Sequence, residues 1–439
     1  MVSDIIDNNT LCYNGNSSYR NKNISEDSQS AKHVIADVLV LDACERQALA
    51  AVRSLGRRGL RVATLGADRS APALASRWCL QKIVCPAEVG SEAYLASLEQ
   101  ALEYSGAHVI IPCSDATVSL LRQHRRRLEQ RARIALAEES ALEIAVNKER
   151  TLEVARQLGL YVPHGVTVRD SKQVDAALQE VGLPVVVKPV ESWVARPQKG
   201  VRLTSFLVAT RDEAYHAVEI LLAYPGNSVL IQQFVSGERE SMSFLYAQGR
   251  FFAEFAHAVE RTDPPLGGAD VVRHSIPIPL DIAEPAENLI REINLEGYCI
   301  VEFRRDRTGR PYLMEINPRL SAGVELAIAS GIDFPYLLYQ WACGGQIDTV
   351  AQYRVNCRMR YLAGDIATTA VSVKLAGRPG VTPPLRAILA FCFAFFLPMH
   401  YDYVDWHDLQ PIKQAVIGWF RVLPERIRRA FAPKRITHG

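Results

Sequence analysis

Two carboxylates and one amide, Glu302, Glu315 and Asn317, have types and a spacing that suit a metal ion. Glu315 and Asn317 lie two residues apart in an apolar stretch, so on a β-strand both side chains point to the same face. The turn residues in 306–311 predict a chain reversal that brings Glu302 beside them. Convergent oxygen donors suit a hard cation such as Mg²⁺, which also takes phosphate oxygens and water. The spacing therefore predicts a metal site on a two-stranded unit.

An ordinary charged surface hairpin is the alternative interpretation of this stretch. It does not explain why a carboxylate lies in the apolar run 300–303, nor why Asn-Pro directly follows a β-pattern. Burial of a charge is costly unless the charge is paired or binds a metal, so the metal site is favoured. Arg319 follows the amide by two residues, and a cation at this position suits a phosphate group.

Two lysines occupy positions from which they could bind phosphate. Lys188 lies near the end of a predicted strand over 185–189, where its ammonium group can act as a point charge. Lys148 lies near the start of a predicted helix over 147–158, which Asn147 would cap. Each lysine alone is also compatible with a stem packed on the protein surface and an amine in water.

Segment 232–240 could contact a nucleotide base. Its extended start, followed by Gly237, would offer backbone groups to a purine edge, and Glu238 or Glu240 could bind ribose hydroxyls. An exposed charged turn is the alternative, and the segment by itself favours that alternative. The sequence has no Walker loop, no G-x-G-x-x-G and no G-x-S-x-G, so a nucleotide would be held by another kind of site.

Composition indicates a soluble protein of several domains. The 439 residues are enough for two or three domains, and a net charge of only +2 gives no global electrostatic footprint for nucleic acid. Nine scattered cysteines, none in C-x-x-C spacing, favour buried thiols and a reducing cytoplasm. Residues 1–33 lack the pattern of a secretory signal and are predicted to be a disordered leader.

Alternating strand and helix patterns predict a parallel α/β domain over 34–145. A small α+β unit is expected over 146–240, followed by the strand-rich segment 241–348 with the metal pair, and then by a mostly helical extension over 349–439. The extension contains an apolar run of 13 residues, 387–399, which is shorter than the ~20 residues of a membrane-spanning helix. With the basic end of the chain, this run could lie on a membrane surface, although the sequence favours a helix packed on the body.

These parts together resemble the ATP-grasp superfamily, the fold of D-alanine–D-alanine ligase, biotin carboxylase and carbamoyl phosphate synthase. The resemblance covers residues 34–345 and is most specific in MEINPR, residues 314–319, with Glu302 thirteen positions before Glu315. It implies an ATP-grasp α/β fold: a parallel α/β N-terminal domain, a small α+β lid and an α+β domain that binds ATP and magnesium.

The resemblance also implies roles for individual residues. Glu302, Glu315 and Asn317 would hold two Mg²⁺ ions, or Mn²⁺ in their place, between the phosphates of ATP. Lys148 in VNKERT and Lys188 in VVVKP resemble the two phosphate-binding lysines of the family. The other implied nucleotide contacts are Gln232, Gln233, Phe234, Val235, Glu238 or Glu240, and Leu313. The implied catalytic residues are Arg319, Arg273 and Lys188.

Within the superfamily the chain is most similar to stand-alone carboxylate–amine ligases, whose N-terminal domain carries a strand like VIIPCSDAT, residues 109–117. Such a ligase phosphorylates a small-molecule carboxylate with ATP and couples it to an amine. A nucleotide-binding protein that no longer catalyses and an enzyme that phosphorylates bicarbonate are the alternatives. A homodimer and a peripheral membrane contact of an otherwise cytoplasmic protein stay open.

Two positions depart from the family pattern. Many members have a loop of several glycines where this chain has residues 191–201, in which Gly200 is the only glycine. Arg196 or Lys199 could supply charge there instead. The linker position that is often acidic is Gln232, whose amide oxygen can still accept a hydrogen bond from an adenine amino group.

Overall fold

The computed structural model describes residues 34–194, 200–265, 267–377 and 381–431, of which 421–431 by backbone alone. The predicted leader over 1–33 and the two loop cations Arg196 and Lys199 lie outside the described residues.

The N-terminal domain is built on a five-stranded parallel sheet, as the apolar strand patterns predict. The strand order is β3-β2-β1-β4-β5, so the direction of strand addition reverses between β1 and β4. Ligands of open α/β sheets bind beyond the carboxyl ends of the strands at such a point. The elements are β1 Val38–Val40, α1 Arg46–Arg57, β2 Val62–Gly66, α2 Pro72–Ala75, β3 Cys79–Val84, α3 Glu92–Ser105, β4 Val109–Ile111, α4 Asp115–Gln123, α5 Arg125–Leu128, β5 Arg133–Ile134 and α6 Glu139–Ala145.

A small second sheet of order β10-β7-β11-β6 forms the lid unit. Helices α8 and α9 pack on one face of it, and the face that carries Lys188 is opposite to them. Helix α7 packs against α6 and β16, so Lys148 is attached to the neighbouring unit and not to the lid sheet. The elements are α7 Lys148–Gln157, β6 Gly165–Val168, α8 Val174–Val181, β7 Val185–Pro189, β8 Trp193–Val194, β9 Val201–Arg202, β10 Phe206–Val208, α9 Arg211–Leu222 and β11 Val229–Gln233.

The central sheet has seven strands in the order β16-β15-β12-β13-β14-β17-β18. Its antiparallel strands alternate between a face that packs on α10 and a face that carries the predicted metal ligands. The elements up to the end of this unit are β12 Arg239–Ala247, β13 Arg250–Asp263, β14 Ala269–Ser275, α10 Leu280–Glu292, β15 Gly297–Arg305, β16 Pro311–Asn317, α11 Val324–Ser330 and α12 Phe334–Ala342.

The C-terminal extension is mostly helical, as expected, but it is not a separate unit. Its two strands extend the central sheet: β17 pairs with β14, and β18 pairs with β17. An uncovered β14 would present a row of unpaired backbone groups, which natural proteins avoid by covering the edge. The elements are β17 Arg358–Arg360, α13 Leu362–Lys374, α14 Pro384–Phe393, β18 His400–Tyr401 and α15 Gln410–Phe431.

Candidate active site

The predicted metal-binding trio lies on one face of the hairpin formed by β15 and β16. Glu302 and Glu315 are direct partners across the two strands. The amide nitrogen of Asn317 lies 3.3 Å from Glu302 Oε1 and 3.3 Å from Glu315 Oε1. A bulge directly after the glutamate pair leaves Met314 without a partner across the strands. The structure therefore brings together the three residues that the spacing and the turn predict to converge.

The two carboxylates differ in their affinity for a proton. Burial raises the pKa of Glu302; Arg239 opposes this increase and Glu315 adds to it. Burial also acts to raise the pKa of Glu315, but Lys148 and Lys188 outweigh it and lower that pKa. Two carboxylates this close disfavour each other's charge, and a divalent cation between them relieves the repulsion.

A metal site at this position would require Asn317 as a ligand, because the carboxylates alone are too few. Within the described ranges, no three or more His, Cys, Asp or Glu side chains form a group that could hold a metal. Two carboxylates and one amide oxygen are nevertheless a set that Mg²⁺ accepts, since it keeps several waters and takes phosphate oxygens from a bound nucleotide.

The two lysines approach this pair from different elements. Lys148 Nζ lies 2.9 Å from Ser192 Oγ and 3.4 Å from Glu315 Oε2. Asn147 caps helix α7 as predicted, because its side chain accepts a hydrogen bond from the backbone N–H of Arg150. Burial lowers the pKa of Lys188 to about 8, against a smaller opposing effect of Glu315. A buried ammonium group with a lowered pKa gains stability when an anion binds beside it.

Arg319 lies where the central sheet meets the N-terminal domain. Its Nε donates to the carboxylate of Asp115, and its Nη1 donates to the carbonyl oxygen of Leu320 at 3.3 Å. Asp115 is the first residue of α4, and Arg202 Nη2 lies 3.6 Å from its Oδ2. Both arginines act to lower the pKa of Asp115 against the effect of its burial, and its pKa falls well below the usual range.

Asp115 is a site residue that the sequence interpretation did not assign. It belongs to the VIIPCSDAT segment and follows β4, at the point where the strand order reverses. Asp42, which follows β1, fixes the start of α4: it accepts hydrogen bonds from the Cys113 N–H at 2.9 Å and the Thr117 hydroxyl at 2.6 Å. An acid directly after a parallel strand next to the switch point is the signal that could have identified Asp115.

Arg239 is a second residue that sequence reasoning missed. It opens β12, two residues before Ser241, which pairs with Glu302. Its Nη1 lies 3.6 Å from Glu302 Oε2, and its Nη2 contacts the carboxylate of Asp270. Only the register of β12 against β15 reveals this contact, because 63 positions separate Arg239 from Glu302 in the sequence.

The linker after β11 offers a polar group without a partner. Gln232 is 1% exposed, and its amide nitrogen has no hydrogen-bond partner among the described residues. Lys188 pairs with Leu230, two residues before Gln232, so both side chains lie on the same face of the lid sheet. A buried amide without a partner is costly and is typical of a site completed by a ligand. The rest of the linker differs in exposure: Gln233 is exposed, Phe234 half-buried and Val235 buried.

The two acids predicted to bind ribose, Glu238 and Glu240, differ in their position relative to the cleft. Glu240 is next to Ser241, the partner of Glu302, so it points to the opposite face of the sheet. There its Oε1 accepts a hydrogen bond from Arg305 Nε at 2.9 Å. The prediction of Glu240 as a ribose ligand is therefore wrong. Glu238 precedes the strand and is exposed, so it stays the candidate.

The prediction that Arg273 is a catalytic residue is also wrong. Its side chain is fully buried, and it donates to both carboxylate oxygens of Asp402, at 3.0 and 2.8 Å, and to the Ala322 carbonyl. Asp402 belongs to the C-terminal extension, 129 positions away in the chain. A guanidinium group held in this way cannot turn to a substrate without leaving a buried charge unpaired.

Leu313 does not line the cleft. It is 0% exposed and packs in the hydrophobic core, and the bulge places it opposite Phe303 and not on the side of Glu302. The shift of one residue at Met314 explains the error, because strict alternation from Glu315 would put Leu313 on the metal face.

The glycine-poor loop is described only at its two ends. Gly200 lies against the ring of Trp193, where an added Cβ would be 2.0 Å from Cζ2, so this glycine allows the two ends to approach each other. Ser192, in the first end, contacts Lys148.

Comparisons with known proteins agree with this geometry. Residues 227–364 match a family described as ATP-grasp in the biosynthetic pathway with Ter operon. The chain is 27% identical to the D-alanine–D-alanine ligase of Trichlorobacter lovleyi over 220 residues, which are 47% of this chain and 67% of that ligase.

Solved structures with the same fold include two ligases of different chemistry. Biotin carboxylase from Campylobacter jejuni, solved as a β,γ-ATP complex, aligns with a TM-score of 0.59 and 17% identity over 74% of each chain. The L-amino acid ligase from Bacillus licheniformis aligns with a TM-score of 0.54 and 19% identity, over 71% of this chain and 75% of that one. Together these likenesses confirm the predicted ATP-grasp fold, and the chain is similar to ATP-grasp enzymes of the carboxylate–amine ligase type.

Proposed function

We propose that this protein phosphorylates the carboxylate of a small molecule with ATP and couples the acyl group to an amine, releasing ADP and phosphate. The observation that carries the proposal is the trio Glu302, Glu315 and Asn317, which converges within 3.3 Å contacts beside the buried Lys148 and the half-buried Lys188. No protein nucleophile is needed for this chemistry.

The trio fits magnesium by the chemistry of its donors, and we propose two ions, both held by these three residues. Bound Mg²⁺ would supply Lewis acidity that spreads the negative charge of the transferred phosphoryl group. Glu315 keeps its charge because Lys148 and Lys188 lower its pKa. Glu302, whose pKa burial raises, is the carboxylate that benefits most from a cation.

The lysines and Arg319 hold the anionic groups of the reaction. Lys148 and Lys188 bind phosphate oxygens, and the positive charge of Lys188, which burial disfavours, is stabilised by that contact. Arg319, held by Asp115, orients the substrate carboxylate or the transferred phosphate at the boundary of the N-terminal domain. Fixed charges of this kind lower the barrier without reorganising during the reaction.

The reaction balances without a covalent enzyme intermediate. A carboxylate oxygen attacks the γ-phosphorus of ATP, and the bond to the β-phosphate oxygen breaks with ADP as the leaving group. The amine nitrogen then attacks the acyl carbon, phosphate leaves, and the nitrogen loses a proton to give an amide. The lid sheet that carries Lys188 and Gln232 would exclude water, which would otherwise hydrolyse the acyl phosphate.

The base of ATP would lie against the linker. The buried amide of Gln232 faces the cleft and is free to bond adenine, with the backbone of Gln233 to Val235 beside it. Glu238 is the remaining acid for the ribose hydroxyls. With Lys148 and Lys188 on the phosphates, these contacts would hold the nucleotide without a Walker loop, which the sequence lacks.

The test is a screen of carboxylic acids and amines for ADP release in the presence of ATP and Mg²⁺, with hydroxylamine as a trap for the acyl phosphate. We expect a hydroxamate with the correct acid alone and an amide only when the amine is added. ADP release with bicarbonate alone would favour the bicarbonate alternative. Nucleotide binding without ADP release in any pool would favour a protein that no longer catalyses, and either result would overturn the proposal.

A further inference from the structure

Helix α14 and the turn after it bury their small side chains and expose their large apolar ones. Ala387 and Ala394 are 7% and 3% exposed, whereas Leu385, Phe393 and Phe396 are 70%, 62% and 83% exposed. A surface helix of a globular protein shows the opposite arrangement, with its large apolar residues facing the core. The outward face therefore needs an explanation other than packing on the body.

The exposed large apolar residues lie along α14 and the short turn that follows it. Single exposed apolar side chains are common, but a cluster of this kind marks an interaction site. We call this set the α14 patch; its members are Leu385, Ile388, Leu389, Phe393 and Phe396.

The inner side of the helix is firmly attached to the central sheet. Arg360, in β17, donates to the Phe391 carbonyl at 3.0 Å, and its guanidinium lies 4.5 Å and 4.2 Å from the ring centres of Phe391 and Phe395. Asp365 accepts from Arg360 Nε at 2.6 Å. The sheet thus holds the helix in an orientation that presents the patch to the outside.

The chain segment that carries the patch has charges of one sign. Segment 366–401 contains no Asp or Glu, and it contributes the exposed cations Lys374 and Arg386. The sequence after residue 420 has a single acid, Glu425. Its cations are Arg421, Arg426, Arg428, Arg429, Lys434 and Arg435. Large apolar side chains flanked by cations are complementary to an anionic lipid surface.

We propose that the α14 patch docks on the surface of an anionic lipid bilayer, with α14 parallel to the membrane plane and its apolar side chains in the headgroup region. The helix of 10 residues is about 15 Å long, half of the ~30 Å hydrocarbon core, so it lies on the bilayer and does not cross it. In the part of the chain that the structure describes, no helix has both the length and the apolar character of a membrane span.

A second copy of the chain is a poorer occupant of this face. A two-fold contact would set the patch of one copy against that of the other, so Arg386 of each copy would face the same segment of its partner. Segment 366–401 offers no carboxylate that could compensate these charges, whereas an anionic headgroup does. Charge complementarity therefore favours an anionic lipid surface over a second copy of the chain.

The test is co-sedimentation of the full-length protein with vesicles of phosphatidylcholine alone and of phosphatidylcholine with 30% phosphatidylglycerol, at low and high salt. We expect binding to the anionic vesicles that weakens as salt rises, because the headgroup attraction is screened. The double substitution Leu389→Ser/Phe393→Ser should weaken binding by about 10-fold or more, since each buried apolar side chain contributes strongly. Arg386→Glu should weaken binding to anionic vesicles alone, roughly fivefold.

The matched control is Leu280→Ser, because Leu280 is 80% exposed and lies outside the C-terminal extension. This variant should bind like the wild type, and all variants should keep the wild-type thermal unfolding midpoint. The proposal is overturned if the wild-type protein stays in the supernatant with anionic vesicles, or if the double variant pellets as well as the wild type. A wild-type dimer that the double substitution dissociates, without vesicle binding, would assign the patch to a second copy and would also overturn it.

Discussion

Two clusters of charged residues in this protein differ in how completely their charges are paired. In the clamp, which we define as the loop 402–408, each carboxylate meets an arginine: Asp402 pairs with Arg273, and Asp408 with Arg53. In the cleft, Glu302 and Glu315 face each other across two strands, and their cations Arg239 and Lys148 lie at the longer distances of 3.6 and 3.4 Å. Complete pairing makes the clamp a structural element that needs no ligand. The cleft keeps two like charges together, which disfavours both, and our proposal that a cation and an anion bind there would relieve that repulsion.

The clamp also explains how the N-terminal domain is attached. Arg46 and Arg53 are in α1 and Arg273 is in β14, so the loop bonds both the N-terminal domain and the central sheet. The cleft lies between the same two bodies, where Arg319 meets Asp115.

The largest expected effect comes from breaking the clamp. Asp402→Ala should lower the free energy of unfolding by about 3–5 kcal/mol, because Arg273 stays buried without its partner. Urea unfolding measures this, and Glu284→Ala, at an exposed acid, is the control that should change it by less than about 0.5 kcal/mol. If the two substitutions cost the same, the clamp is not the structural element we describe.

A substitution in the cleft should have the reverse effect: a large loss of activity and a small change in the free energy of unfolding. Glu315→Gln should reduce ATP-dependent phosphate release by ~10²-fold or more, the scale for the loss of one preorganised electrostatic group. The free energy of unfolding should fall much less than in Asp402→Ala, because the substitution removes the contact of Glu315 with Lys148 and Lys188 but also its repulsion with Glu302. Wild-type turnover in this variant would remove Glu315 from the site, and Glu284→Gln is the control.

The pH at which Lys188 loses its proton tests whether the cleft disfavours the charge of this lysine. Because burial lowers its pKa to about 8, Lys188 should react with an amine-acylating reagent with a midpoint near pH 8, and less once ATP is bound. A lysine in water has its midpoint near pH 10.4. Mass spectrometry of the modified peptide follows the reaction, and Lys188→Arg should abolish this label. Labelling of Lys188 that begins only above pH 10 contradicts the buried position.

The smallest expected effect separates the two ribose candidates. Glu238→Gln should weaken ATP binding several-fold, about 1 kcal/mol, and remove the preference for ATP over 2′-deoxy-ATP. Glu240→Gln should leave both unchanged, since Glu240 bonds Arg305 on the other face of the sheet. Titration with a fluorescent nucleotide measures both, and equal effects would refute the assignment.

Local spacing was enough to predict the trio and the helix cap. Glu315 and Asn317 share a face because a strand repeats every two residues, and Asn147 caps α7 because its side chain can reach the start of the helix. These features depend on residues within one turn or one hairpin. The family motif around Glu315 then led to the fold, which the comparisons confirm.

The errors have a different origin. Arg273 looks like a free cation in sequence, but Asp402 neutralises it from 129 positions away. Glu240 and Leu313 carry the right residue type, but the register and a one-residue bulge turn them to the other face. Motif similarity does not encode these facts.

The sequence by itself determined which residue types could bind magnesium and phosphate, because that information is local and chemical. Only the tertiary structure decided which of the charged residues face the cleft, which are neutralised by distant partners such as Asp402, and that α14 turns its large apolar side chains outward. The physical reason is that burial and ion pairing depend on contacts between segments far apart in the chain. A periodic pattern in one segment cannot specify them.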